Sequence, residues 1–140
     1  MADITTAITA RLIATSAVTD LVAARIGPWQ AMQAEALPYV TYQQIDGDHQ
    51  HNMSGGSALE HATLQLNCVA STYAGARALA NAVREALAGY RGTSDGVVIQ
   101  SCLIVADRDD PQPPTPGLEK PSHYSRQLDA SIWATETIPA

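Results

Sequence analysis

The chain has 140 residues, with 8 basic and 14 acidic side chains for a net charge of −6, and it contains no Phe, 2 Trp and 5 Tyr. That length predicts one domain, residues 1–140, whose core is built from Ala, Leu, Ile and Val. The acid excess argues against a protein that grips phosphates, although an acidic wall lets nucleic acid slide past; no apolar run is long enough for a membrane helix and the start lacks a signal-peptide pattern, so no membrane association is expected.

Taken in chain order, Asp3 is placed to cap a first helix with apolar positions Ile4, Ile8, Leu12 and Thr15 at four-residue spacing. Ser16 caps a short second turn carrying Val18, Leu21 and Val22, and Gly27-Pro28 ends helical structure. Trp29 to Leu37 is a connector without a clear period. Pro38 opens a first strand, Tyr39 to Asp46, and the polar, Gly-bearing stretch Gly47 to Ser57 is expected to be a loop too long for a tight hairpin.

The most informative stretch runs from Ala58 to Gly92. Ala62, Leu64, Leu66, Cys68 and Ala70 alternate with Thr63, Gln65, Asn67 and Val69, which is the period of a strand with one apolar face. From Tyr73 the period changes: Ala76, Leu79, Ala80, Val83, Leu87 and Tyr90 recur at three- and four-residue steps, predicting an amphipathic helix begun by Ser71 or Thr72 and stopped near Gly89. Tyr73 and Tyr90 are expected to pack in the core. Gly92 to Gly96 is a turn, and Val97 to Asp107 is an apolar strand expected to be covered on both faces, by the helices on one and by something else, another subunit being one candidate, on the other. Arg108 to Ser122 holds five of the eight prolines and predicts an exposed, semi-rigid loop. The last strand, Tyr124 to Thr135, turns Leu128, Ala130 and Ile132 inward and Gln127, Asp129 and Ser131 outward, with Trp133 on the otherwise polar side, a hint of a partner there.

The expected fold is therefore α+β, a four-stranded, mainly antiparallel sheet with helices packed on one face, in the order α-α-β-β-α-β-β; a spatial strand order of 1-2-4-3 makes every neighbouring pair antiparallel. Cys68 and Cys102 are expected to be buried, reduced thiols, with a disulfide open if their strands are neighbours.

Candidate chemistry is sparse. His49 and His51, with His61 more remote, can be drawn as a metal site, but an H-x-H pair in a Gly/Ser loop without a neighbouring Cys has low specificity. Asp107, Asp109 and Asp110 are better read as a charged surface than as a calcium loop. Ser54-Gly55-Gly56-Ser57 lacks the Lys and the strand–loop–helix setting of a phosphate cradle. No catalytic pair stands out, so neither an enzyme nor a cofactor nor a metal is expected, and an assembly component is the better reading.

Several phrases, in order, resemble one family: Arg25-Ile26-Gly27-Pro28, then Pro38-Tyr39-Val40-Thr41-Tyr42, Met53-Ser54-Gly55, and Gln65 through Tyr73. Ala82-Val83-Arg84-Glu85-Ala86-Leu87 follows, and Ser131-Ile132-Trp133 with Glu136 closes the set. Together they resemble the tail-completion, or tail-terminator, family of long-tailed bacteriophages and phage-like gene transfer agents. The resemblance implies a structural virion protein without catalytic residues. It is a subunit of a homo-oligomeric, six-membered ring that caps the tail tube, joins it to the head connector proteins, and lets double-stranded DNA pass through without specific binding. It further implies a place in the virion tail or neck after assembly in the bacterial cytoplasm. A head-side stopper or adaptor ring is the alternative, and a small metal-binding enzyme a more distant one. The expected partner interface lies in Asp48 to Gly56 and Arg108 to Lys120, with Asp48, His49, His51, Asn52, Met53, Asp109, Asp110, Gln112, Glu119 and Lys120 as its residues and Trp133 beside them.

Overall fold

In a computed structural model, residues 4–23, 25–28, 38–52, 55–94, 97–110 and 123–135 are described, with 48–59 and 110 described by backbone alone. Three helices, α1 (Ile4–Ile13), α2 (Ser16–Val22) and α3 (Tyr73–Leu87), join six strands: β1 (Ile26–Pro28), β2 (Tyr39–Asn52), β3 (Gly55–Ala70), β4 (Gly92–Ser94), β5 (Val97–Asp110) and β6 (Tyr124–Thr135). They form one sheet in the order β1-β2-β3-β6-β5-β4.

The class is α+β as expected, but the sheet has six strands and is mixed, not four and antiparallel. The four long strands take the 1-2-4-3 order with antiparallel pairing throughout. The additions are two three-residue strands at the outer edges, β1 running parallel to β2 and β4 antiparallel to β5. Both sit where Gly or Pro suggested only a chain break. A strand of three residues has too few positions to display a period of two, and backbone pairing recruits it regardless of side chain.

Two further boundaries are corrected. The predicted loop Gly47 to Ser57 is mostly strand, since β2 continues to Asn52 and β3 begins at Gly55, pairing as Asp48↔His61, His49↔Glu60, His51↔Gly56 and Asn52↔Gly55. Only residues 53–54 separate the arms. Polar residues obscured this because a ladder running past the edge of the core needs hydrogen bonds, not an apolar face. Likewise β5 extends through Arg108 and Asp109 to Asp110, so these three residues are strand where a loop was expected; residues 111–122, with Gln112, Glu119 and Lys120, lie outside the described residues, as do Asp3, residues 29–37, Met53 and Glu136.

All three helices pack on one side. Alternate residues Ala62, Leu64, Leu66 and Cys68 of β3 and Leu128, Ala130, Ile132 and Ala134 of β6 meet Ile4, Ile8 and Leu12 of α1, Val18 and Val22 of α2, and Leu79, Val83 and Leu87 of α3 in one buried cluster. Helix α3 is where local signals agree most closely. Thr72 is its N-cap, with Oγ1 accepting from the Gly75 amide at 3.0 Å. A Cβ at Gly75 would stand 2.9 Å from that same oxygen, so Gly serves the cap directly. At the other end Gly89 takes φ 77°, the left-handed conformation that Gly adopts without steric cost, and its amide donates to Cys102 O at 2.8 Å, tying the helix to β5.

Smaller expectations shift. Thr15, not Ser16, is the N-cap residue of α2, and its hydroxyl donates back to Arg11 O at 2.8 Å instead of capping. Thr15 is therefore not part of the apolar face of α1, and Leu21 is exposed. Tyr90 packs against the core beneath the Arg11 guanidinium, 4.3 Å from its ring centroid, while Arg11 Nε donates to Ala86 O at 3.1 Å in the last turn of α3, where a cation is favoured. Tyr73, at the first turn, is exposed instead of core. Both cysteines are buried and free. Burial first, then Asp107, pushes the Cys68 thiol up to about 12, and burial pushes Cys102 up to about 11.

Candidate interaction surface

The sheet face away from the helices is polar and displays the odd-numbered residues of β3 and β6. Successive rows across it read, by backbone register, Thr41, Asn67, Gln127 and Arg108; Gln43, Gln65, Asp129 and Ala106; Asp46, Thr63, Ser131 and Leu103; and Asp48, His61, Trp133 and Ser101. On the last row the His61 ring lies 4.6 Å from that of Trp133, and His61 Nε2 shares a 2.7 Å hydrogen bond with Ser131 Oγ. Trp133 is thus half-buried by its own neighbour on the polar face. Arg108 donates to Asp129 Oδ2 at 3.0 Å. Thr41 Oγ1, Asn67 Oδ1 and Asp129 Oδ1 are buried without a hydrogen-bond partner among the described residues.

A second cluster forms where β5 and β6 meet the start of α3. Arg126 Nε donates to Asp107 Oδ1 at 2.6 Å and Arg126 Nη1 to Asp109 Oδ1 at 2.8 Å, while Tyr73 OH donates to Asp109 Oδ2 at 3.1 Å. Tyr73 also meets Tyr124 edge-on, 6.4 Å between centroids. The hydrogen bond to Asp107 is the main reason the Arg126 guanidinium is held above its ordinary pKa. Asp107 and Asp109 fall on one side of β5 because they are two apart, and Arg126 faces them through the Asp109↔Arg126 register. The D-x-D spacing was visible in the sequence, but its cation, seventeen residues on, was not.

The residues expected at the interface do not form one patch. Asp48, His49, His51 and Asn52 lie on the outer half of β2, level with Trp133 and Ser101, whereas Asp109 and Asp110 end β5 beside Arg126 and Ser125. Eight residues along a strand separate Ser101 from Asp109, about 25 Å at the usual rise. The structure brings Asp48 and Trp133 onto one row through His61, and places Asp109 and Asp110 at the opposite end of the sheet.

Missed by sequence reasoning was the outer edge of β5. That strand is covered on one face only: Val97, Ile99 and Cys102 are buried, while Leu103 is 54% and Val105 61% exposed. An open groove of about 440 Å³ runs beside it, with Arg84 of α3 and Ala88 just past its end opposite Leu103 to Asp107. The apolar run marked these residues as special without telling which face was open. Among the described residues no group of three metal-ligating side chains occurs, and no helix is long and apolar enough to cross a membrane.

The sequence model of the family described as tail completion protein gp17 matches residues 6–133. The chain belongs to the tail-completion family. It is accordingly a structural protein of a phage-like tail, from a structural virion family. A solved structure titled "Virion of native gene transfer agent (GTA) particle" contains a chain of like fold, with a TM-score of 0.67 over 92% of each chain at 19% identity. No curated protein gives a significant match.

Proposed function

We propose that this tail-completion protein is the tail terminator, a subunit of a six-membered homo-oligomeric ring that caps the tail tube and joins it to the head connector. The observation that carries this reading is the family match over residues 6–133, nearly the full chain, on a fold like that of a chain in a gene transfer agent virion. Two features of the surface support it. Polar and charged clusters sit at opposite ends of the sheet, around His61, Ser131 and Trp133 and around Asp107, Asp109 and Arg126, as suits a part held between two different neighbours. The four long strands also carry seven acidic residues and two arginines, so a ring walled by them passes DNA without binding it.

The experiment combines purified protein with isolated tail tubes, followed by native mass measurement and cross-linking. Sixfold rings at tube ends are expected, together with no retention on double-stranded DNA at physiological salt. A protein that stays monomeric with tubes present overturns the reading. Cross-links to portal-side proteins alone assign it instead to a stopper or adaptor ring.

A further inference from the structure

Among the described residues, each outer edge of the sheet is capped at one end. β1 pairs with β2 at Val40, Thr41 and Tyr42, and among the described residues no strand accompanies β2 from Gln43 to Asn52. β4 pairs with β5 at Val97, Val98 and Ile99, the Gly89 amide occupies the Cys102 carbonyl just beyond, and among the described residues no strand accompanies β5 from Leu103 to Asp110. Free edges of this length are commonly blunted by proline, lysine or bulges; neither stretch contains proline or lysine, and the protection each has is a register shift, Gln44/Asp46 and His49/His51 on β2 and Ile104/Ala106 on β5. Between Gln100 and Ala106, β5 carries no charge either, and it exposes Leu103 and Val105 beside an open groove; Ile45 is 48% exposed on the other edge. Such edges call for a covering strand.

Three features select a second copy of this chain as the occupant. The free stretches are similar in length, ten residues on β2 and eight on β5. Their directions match as well. Strands alternate across β2-β3-β6-β5, so β5 runs opposite to β2, and a neighbour related by rotation in the plane of the sheet brings its β2 antiparallel to β5, the pairing sense used within the subunit. Finally, the caps lie at opposite ends: β1 is level with Asp107 to Asp109 of β5, and β4 is level with Leu59 and Glu60 of β3. A step of about four residues between copies clears both three-residue caps at once and sets Leu103 to Asp110 against Gln43 to Gln50, and a constant step of this kind is the stagger that a closed wall of tilted strands requires.

We propose that the ring closes by strand addition, with the β5 edge Leu103 to Asp110 of each subunit hydrogen-bonded antiparallel to the β2 edge Gln43 to Gln50 of the next. The contact is heterologous, since two different edges meet, and so it generates a ring instead of a dimer. This inference rests on the ring reading above and specifies the self-contact that builds it.

The test uses the full chain with isolated tail tubes, and it separates failure of the contact from failure of the ring. Gln44→Cys and Asp109→Cys variants, mixed and treated with a short bismaleimide, are expected to give a cross-linked dimer that neither variant gives alone. Leu103→Lys/Val105→Lys, at exposed positions, is expected to lower ring formation at least tenfold with the melting temperature unchanged. Rings that form normally in the lysine variant and yield no mixed cross-link overturn the edge contact and leave the ring standing. Absence of rings from the unaltered protein overturns both. Protection of the β5 edge by a tube or connector segment, with no mixed cross-link, assigns the edge to a foreign strand and likewise overturns the proposal.

Discussion

Leu64 and Leu128 on the helix side of the sheet are fully buried, whereas Leu103 and Val105, equally apolar and on a neighbouring strand, are more than half exposed. The difference lies in what faces them. Leu64 and Leu128 face the helices, while Leu103 lies opposite Ser131 on the face that carries no helix and Val105 sits in a register shift on the same edge strand. Register shifts between Ile99 and Ser101 and between Ile104 and Ala106 change which side of β5 points to the helices, which is why an unbroken apolar run ends with one half inside and one half out. The lesson is that apolarity in a strand assigns it to a covered position, but the covering can come from a different molecule.

The widest gap between the two regions should be seen by truncation. Leu64→Ala or Leu128→Ala is expected to cost about 2–5 kcal/mol in denaturant unfolding, against less than about 0.5 kcal/mol for Leu103→Ala; equal losses at both sites break the comparison. Next comes alkaline pH. The folded-state pKa values of Cys68 and Cys102 lie above the thiol's ordinary 9.0, so their contribution is complete below pH 9 and is lost as pH rises toward about 11 for Cys102 and about 12 for Cys68. Each raised thiol makes stability fall by up to about 1.4 kcal/mol per pH unit within its window. Cys68→Ala/Cys102→Ala should flatten that slope, and a thiol reagent at pH 8 should leave both native thiols unmodified.

How much of this was legible depends on the range of the interactions involved. For α3, Thr72, Gly75 and Gly89 act on backbone within a few residues of themselves, so the start, stop and buried face of the helix could be read directly. Thr72→Ala should accordingly cost about 1 kcal/mol, seen as a lower denaturation midpoint at unchanged slope. The Asp107–Arg126–Asp109 cluster was not legible, because its members meet only through the β5–β6 register. Being solvent-accessible, it should matter least to stability: Arg126→Met is expected to lower it by about 1 kcal/mol or less. A larger loss would place the cluster with the buried side of the molecule instead of its surface.

The Asp48 to Asn52 segment sits between these cases. Its residue types indicated a polar, surface-facing stretch, yet its ladder with Gly55 to His61 was hidden, since backbone hydrogen bonds are common to every residue but proline and leave no mark in composition.

By itself, the sequence determined the three helices, the alternating faces of β3 and β6, the caps of α3 and the membership of a tail-completion family, all carried by local periodicity or by ordered phrases. The tertiary structure alone decided the two edge strands, the length of the β2–β3 ladder, the pairing of charges across β5 and β6, and the side on which Leu103 and Val105 are left open. Each of those depends on register between residues distant in the chain, which hydrogen bonding and shared burial fix only once the sheet has closed over its core.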